Sequence, residues 1–466
     1  MSTETFLTSA KGRTRGFGAV GAVLLGLAVA ASSWAQGMYY KEIMQDGRFY
    51  VFNDATKADA FEKSGETGTG LTRIGAGPNG ETVFADSETA LELFAFKHGL
   101  SLLVERPRKA TMSVSWKDGK TTIATDHAQL SMSTRIQTRF TQESPDDSIK
   151  LFPGADGGEG RGSFRIRRAK FKLEGWFYKK ELTYEFQINF MDASAAQPTR
   201  MVEDAWINWD ISKKKQFQVK FGQFKAPFGR QELTSSGSQQ FVDRSDVSNR
   251  YARGRETGIQ IWGGFLKDKA EWRLGAFNGN SRSQAANDND QYQYNARLQF
   301  HPNGDPKFSE SDFDSKDKVL WALAANFESN GKQRATANND AKDTLWSVDA
   351  VVKRAGFFVQ AEYFDKKVAP ETGSDFKDKG WYGQVGYLVG GPAKGRWELA
   401  VRYGSIDPAD LVSGNDRKEI GGAVNYFHNK HNLKLQADFR QLEDGAANSG
   451  NGTKNNEFRL QAQFIF

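Results

Sequence analysis

From about residue 125 to the end of the chain, apolar and polar side chains alternate with a period of two, which commits this part of the sequence to β-strands. Leu182, Tyr184, Phe186, Ile188 and Phe190 alternate with Thr183, Glu185, Gln187 and Asn189. Trp397, Leu399, Val401 and Tyr403 alternate with Glu398, Ala400 and Arg402, and the chain stops on a strand that ends in Phe464 and Phe466. Sixteen such segments start near residues 127, 163, 181, 203, 216, 256, 269, 290, 318, 344, 356, 380, 396, 418, 432 and 456. The connections alternate in length. Short ones at 212–215, 266–269 and 353–356 fall between long ones such as 142–162, 226–255, 328–343 and 365–379, and one turn, 301–317, is longer than its class. An even number of strands, each roughly ten residues with one apolar face, is the pattern of a transmembrane barrel with short turns at one end and long loops at the other. Lipid offers no hydrogen-bond partners, so such a sheet must close, and sixteen strands enclose water. The fold expected is all-β: a 16-stranded antiparallel transmembrane β-barrel with a small N-terminal α+β periplasmic module.

Composition agrees. Hydrophobic residues are only 38% of 466, yet Phe numbers 35 and Trp 11. With no Cys, disulfides, thiolate chemistry and a lipoprotein anchor are excluded. Lys11, Arg13 and Arg15, the apolar run 17–31 and Ser33-Trp34-Ala35 read as a secretory signal over residues 1–35. The alternative, a single membrane helix, needs ~20 apolar residues, more than the run supplies. Loss of this segment removes those three bases and Glu4, so the formal net charge falls from +6 to +4, too little to imply a polyanionic partner.

Residues 36–108 read as a duplicated strand–strand–helix module, with Gly47 and Gly80, Ala58 and Ala90, and Phe61 and Phe94 in matching places. Two unrelated hairpin–helix units are the alternative. Residues 109–124 read as a linker, and 125–466 as the barrel.

The stretch 217–236 organises the rest. Phe217, Val219 and Phe221 face one way and Gln218 and Lys220 the other, until Ala226-Pro227-Phe228-Gly229 ends the strand. A loop without clear period follows. With Lys225 at its edge it carries Arg230, Arg244, Arg250, Arg253 and Arg255 against Glu232, Asp243 and Asp246. Some of these arginines are candidates for pinning the loop to acidic wall residues. Glu185, Asp204, Asp210, Glu271, Glu398 and Asp438 are read as facing inward, so the lumen is mixed and the charge at its narrowest point decides selectivity. The basic run Arg165, Arg167, Arg168, Lys170 and Lys172 reads either as a solvated lumen wall or as an anion-attracting rung.

Three blocks carry a resemblance: FRIRRAKFKLEG (164–175) leading into LTYEFQINF (182–190), VKFGQFKAPFGRQELTSS (219–236) continuing to FVDRS (241–245), and the Phe-terminated last strand. They resemble the phosphate-selective porins O and P, outer-membrane channels that assemble as trimers. The resemblance implies that the loop after the fifth barrel strand folds into the lumen and draws anions with Arg and Lys. Carried over by motif, Arg167 and Arg168 fill a paired-arginine position and Arg244 a basic position after the Ser235-Ser236 pair. Arg165, Lys220, Lys225 and Arg230 complete the candidate constriction. Glu232 and Gly237 stand where phosphate-selective members have lysines, which weakens phosphate selectivity. The function expected is passive diffusion of small inorganic or organic anions, phosphate among them, through a homotrimer in outer-membrane lipid. No cofactor, metal or nucleic acid is expected. The alternatives are a general diffusion porin, a structural or adhesive barrel whose N-terminal module binds a periplasmic partner, and an outer-membrane enzyme. None of the five histidines sits in a metal or nucleophile motif, which disfavours the last.

Overall fold

The computed structural model describes residues 39–100, 112–145, 160–192, 198–284, 286–336, 339–394, 396–445 and 453–466, so the signal reading of residues 1–35 lies outside the described residues. The chain divides into a unit over residues 1–109 and a larger one over 110–466.

The first unit runs β1 (Lys41–Gln45), β2 (Arg48–Phe52), α1 (Ala55–Ser64), β3 (Leu71–Arg73), β4 (Thr82–Ala85) and α2 (Glu88–Lys97). The sheet order is β1-β2-β4-β3, with β2 and β4 parallel and the outer pairs antiparallel. Alternation along β2 sends its side chains to both faces. Val51, Val83 and Ala85 pack with Leu91 and Phe94 of α2, whereas Phe52 packs with Ala58 and Phe61 of α1. Each helix therefore covers one face of the shared sheet. Asp54 caps α1 by accepting from the Thr56 and Lys57 amides, and Ser87 caps α2 through the Ala90 amide. The buried Asp86 carboxylate accepts from the Asn53 amide at 3.0 Å and the Asp54 amide at 3.1 Å, tying one half of the unit to the other.

The second unit begins with β5 (Ser113–Lys117) and β6 (Lys120–Ala124). The barrel follows as β7 (Ala128–Pro145), β8 (Arg161–Phe177), β9 (Lys179–Asn189), β10 (Val202–Asp210), β11 (Gln218–Lys225), β12 (Arg255–Phe265), β13 (Ala270–Phe277) and β14 (Gln293–Phe300). It continues as β15 (Leu320–Thr336), β16 (Asn339–Arg354), β17 (Phe357–Pro370), β18 (Phe376–Val389), β19 (Trp397–Asp407), β20 (Arg417–Asn429), β21 (Leu433–Asp444) and β22 (Thr453–Ile465). Consecutive strands pair antiparallel, and β22 closes on β7 from Arg135 opposite Ile465 to Pro145 opposite Asn455. Phe466 adds two further backbone bonds to Thr134, at 2.6 and 3.0 Å. Outward residues such as Leu399 and Val401 are 56% and 59% exposed, while their neighbours Glu398 and Arg402 are 0% and 2% exposed. Apolar side chains face the bilayer and charged ones fill the interior.

Two expectations are corrected. Residues 113–124 are a hairpin of the barrel sheet rather than a linker: β6 pairs with the first residues of β7, Gln129 to Met132, on the edge that β22 takes further along. Its strands are only 5 residues each, too short to carry a membrane-span signature. The expected loops at 328–343 and 365–379 are largely strand. β15 and β16 pair as far as Thr336 opposite Asn339, and β17 and β18 as far as Val368 opposite Phe376. Beyond the apolar band both faces meet water, so the apolar/polar contrast fades while the ladder continues.

Two connections turn inward. Residues 226–254, from the long-loop end, contain α3 (Arg230–Leu233) and α4 (Asp246–Tyr251) and are held by carboxylates of the wall. Glu362 accepts from the Arg230 and Gln231 amides, both at 2.7 Å, Asp438 from the Val242 amide at 3.0 Å, and Glu419 from the Asp246 amide at 2.8 Å. Gly386 on β18 allows the close approach: a Cβ there would sit 2.0 Å from the side-chain Nε2 of Gln240. The overlong turn, residues 301–319, enters from the short-turn end, and its Glu310 carboxylate accepts from the Gln240 amide at 2.7 Å.

Because the β7–β22 ladder is complete without it, removal of residues 113–124 should leave a closed barrel. Retained heat-modifiable migration on gels is the expected result; its loss would show that the hairpin is needed for closure.

Candidate functional site

The inward segments leave a cavity of about 450 Å³ with a polar lining against the wall formed by β7–β13. Eleven basic and four acidic side chains line it among the described residues. The bases include Arg135, Arg167, Arg168, Lys170, Lys220, Lys225, Arg244 and Arg255, and the acids are Glu185, Asp192, Glu203 and Asp204.

Two β-bulges place charge here. Strict alternation would send only one of Arg167 and Arg168 inward. The β7–β8 register slips between Gln137 opposite Arg168 and Thr138 opposite Ile166, leaving Arg167 as the extra residue, and both arginines reach the cavity. A second slip between Val202 and Asp204 does the same for Glu203 and Asp204.

The cations differ in what they already hold. Lys170 is paired with Glu203 at 2.6 Å, Arg255 with Asp204 at 2.7 Å and Arg282 with Asp192 at 2.7 Å. Arg168 donates to the Gln137 side chain at 2.9 Å, and its nearest carboxylate is Asp243, at 3.8 Å. Arg167 stands 3.9 Å from the same carboxylate, and its buried Nε has no hydrogen-bond partner among the described residues. Arg135 spans from β7 to the loop, donating to Ser236 Oγ at 3.2 Å and Ser235 Oγ at 3.1 Å, with its Nε unpartnered. Lys220 stands 4.0 Å from the Trp206 ring centroid. No carboxylate lies within ion-pair distance of Arg135 or Lys220 among the described residues.

Of the residues singled out from sequence, Arg167, Arg168, Lys220, Lys225 and Arg244 line the cavity. Lys225 and Arg244 are largely spent on the loop itself. Both donate to the Glu232 and Thr234 carbonyls, and the Glu232 carboxylate lies 3.1 Å from Arg244 and 3.7 Å from Lys225. Glu232 does not reach the cavity; it is buried behind these two cations. Arg230 does not line the cavity either. It is buried, with its guanidinium 5.1 Å from the Phe308 ring centroid and its amide on Glu362. Arg165 is exposed, opposite Arg139 in the ladder and outside the cavity lining. The remaining loop arginines are pins: Arg250 to Asp378 at 2.7 Å, and Arg253 to Glu328 at 2.7 Å and Asp343 at 2.6 Å.

Sequence reading missed Arg135, although the alternation of Arg135, Gln137 and Arg139 with Ile136, Thr138 and Phe140 marks it as inward. It also missed Arg273, Arg282 and Phe308, whose places depend on long-range packing. Gly237 has a local reason: a Cβ there would lie 2.6 Å from the centre of the Arg135 guanidinium, so a larger residue would push Arg135 off the loop.

Glu362→Ala would strand two buried loop amides, each worth about 1–3 kcal/mol. The loop should loosen, and single-channel recordings should show larger and noisier conductance.

The comparisons with known proteins agree with this architecture. The chain is 22% identical over 450 residues to porin O of Pseudomonas aeruginosa, covering 79% of this chain and 99% of that one. Its fold is similar to an anion-selective porin from Comamonas acidovorans, with a TM-score of 0.50, 11% identity, and coverage of 72% of this chain and all of the other. It is also similar to the trimer form of OmpT, an outer-membrane protein of Vibrio cholerae, with a TM-score of 0.50, 10% identity, and coverage of 73% and 100%. The family model described as phosphate-selective porin O and P matches residues 147–466, and the chain belongs to that family of outer-membrane porins.

Proposed function

We infer that this porin passes small anions and that selection occurs in the β7–β13 cavity. The observation that carries the reading is the imbalance of charge there, eleven bases against four acids among the described residues. Low-dielectric walls and an enclosed path strengthen the field of such a lining. The wall acids Glu362, Glu398, Glu419 and Asp438 do not offset it, because they are occupied by the inward loop or its neighbours.

For phosphate, the available donors are Arg135, Arg167, Arg168 and Lys220 rather than Lys225 and Arg244. Arginine forks suit phosphate oxygens, but a dedicated phosphate site at the loop is disfavoured by Glu232. A homotrimer is supported by the trimeric Vibrio porin of similar fold. A periplasmic place for the N-terminal module is supported by the chain order, since β7 starts at the short-turn end, which faces the periplasm in outer-membrane barrels.

The test is the zero-current potential in a planar bilayer across a KCl gradient. Anion selectivity is expected, weakening toward neutrality in an Arg135→Ala, Arg168→Ala double variant. It should also weaken as ionic strength rises from 0.1 to 1 M, over which the Debye length falls from about 10 to about 3 Å. Cation selectivity of the native protein would overturn the reading. Glu232→Lys should release Lys225 and Arg244 from their shared carboxylate and lower the phosphate concentration that blocks chloride current.

A further inference from the structure

Inorganic oxyanions need donors and charge, yet the cavity also presents apolar side chains that stay only half-buried even though Phe308 meets Arg230 and Trp206 packs against Phe224 and Ala226. Leu233 and Phe308 are half-buried at the cavity edge, each between polar neighbours, Glu232 and Thr234 in one case and Lys307 and Ser309 in the other. They come from opposite ends of the barrel. Trp206 lines the same cavity from β10 and is also half-buried. Apolar surface left open to water is unfavourable, and a polar residue at Leu233 would serve a hydrated ion at least as well.

The rings are ordered by cations. Lys220 stands 4.0 Å from the Trp206 centroid, and the guanidiniums of Arg230, Arg273 and Arg297 stand 5.1, 5.4 and 5.5 Å from that of Phe308. Both rings stay only half-buried in the cavity lining, and aromatic rings favour offset or edge-on contact with a further ring. In the same cavity Arg135 and Lys220 have no carboxylate within ion-pair distance among the described residues, and Arg168 has only Asp243, at 3.8 Å. The cavity, about 450 Å³, is in the usual range of small-molecule sites, roughly 300–1,000 Å³.

Resting on the anion-channel reading above, we propose that the constriction takes aromatic carboxylates. The carboxylate meets Arg135, Arg168 and Lys220, and the flat apolar body meets Trp206, Leu233 and Phe308.

The experiment compares benzoate, acetate and inorganic phosphate as blockers of chloride current through the full-length protein in a planar bilayer. Benzoate should block at about tenfold lower concentration than acetate, the gain of one well-placed aromatic contact. In Leu233→Ser and, separately, Trp206→Gln, the benzoate-to-acetate ratio should shrink toward one. Equal block by benzoate and acetate in the native protein would overturn the proposal while leaving anion selectivity standing, as would a ratio unchanged in a variant that still conducts. Cation selectivity of the native channel would overturn both. If neither variant inserts, the native ratio alone decides.

Discussion

A loop placed inside a membrane barrel must find partners for its backbone, and in this porin its carbonyls accept from Gln137, Arg139 and Gln463 while its amides turn to carboxylates. The amides of Arg230, Gln231, Gln240, Val242 and Asp246 are each met by a carboxylate, from Glu362, Glu310, Asp438 or Glu419. An unmet buried amide is costly, so these contacts fix the loop's course. They also segregate charge. Glu362, Glu398, Glu419 and Asp438 on β17–β21 are occupied by the loop and its neighbours, while the β7–β13 wall keeps an excess of arginine and lysine along the cavity. The net charge of the lumen is therefore a poor guide to what an ion meets, because most of the negative half is hidden behind the loop.

Asp243 is the counterweight. It is the loop acid that faces β7, β8 and β22, 2.6 Å from Arg139, 3.4 Å from Arg459 and under 4 Å from Arg167 and Arg168. Arg459 also holds Asp438 at 2.7 Å, so Asp243 is shared chiefly among Arg139, Arg167 and Arg168. It keeps a cationic cluster from repelling the loop and leaves residual charge for the pore.

The barrel was legible because its signal is repeated along some 340 residues: alternation, strand number and loop-length asymmetry all state the same constraint. What escaped was whatever breaks period two or depends on distant packing. The bulges at Arg167 and Glu203 leave no mark in the hydrophobic pattern, yet they decide which charges enter the pore. Glu232 was recognisable as a charge reversal, but whether it faced the pore or the loop interior depended on Lys225 and Arg244 folding over it. Arg230 looked like its neighbours in sequence and proved to be a packing residue. The excess length of 301–317 was visible, and its inward course was not, because nothing local distinguishes an inward turn from a water-exposed one.

The two inward segments meet inside the barrel, where the Glu310 amide donates to the Ser238 carbonyl at 2.8 Å and the Glu310 carboxylate braces Gln231 and Gln240. One segment hangs from the outer loops and the other rises from the opposite rim. The aperture is thus not the tip of a single finger but a joint between two struts anchored at opposite ends. The contact that bounds the path is therefore built from chain entering through both rims, and a change in either connection bears on the same few hydrogen bonds.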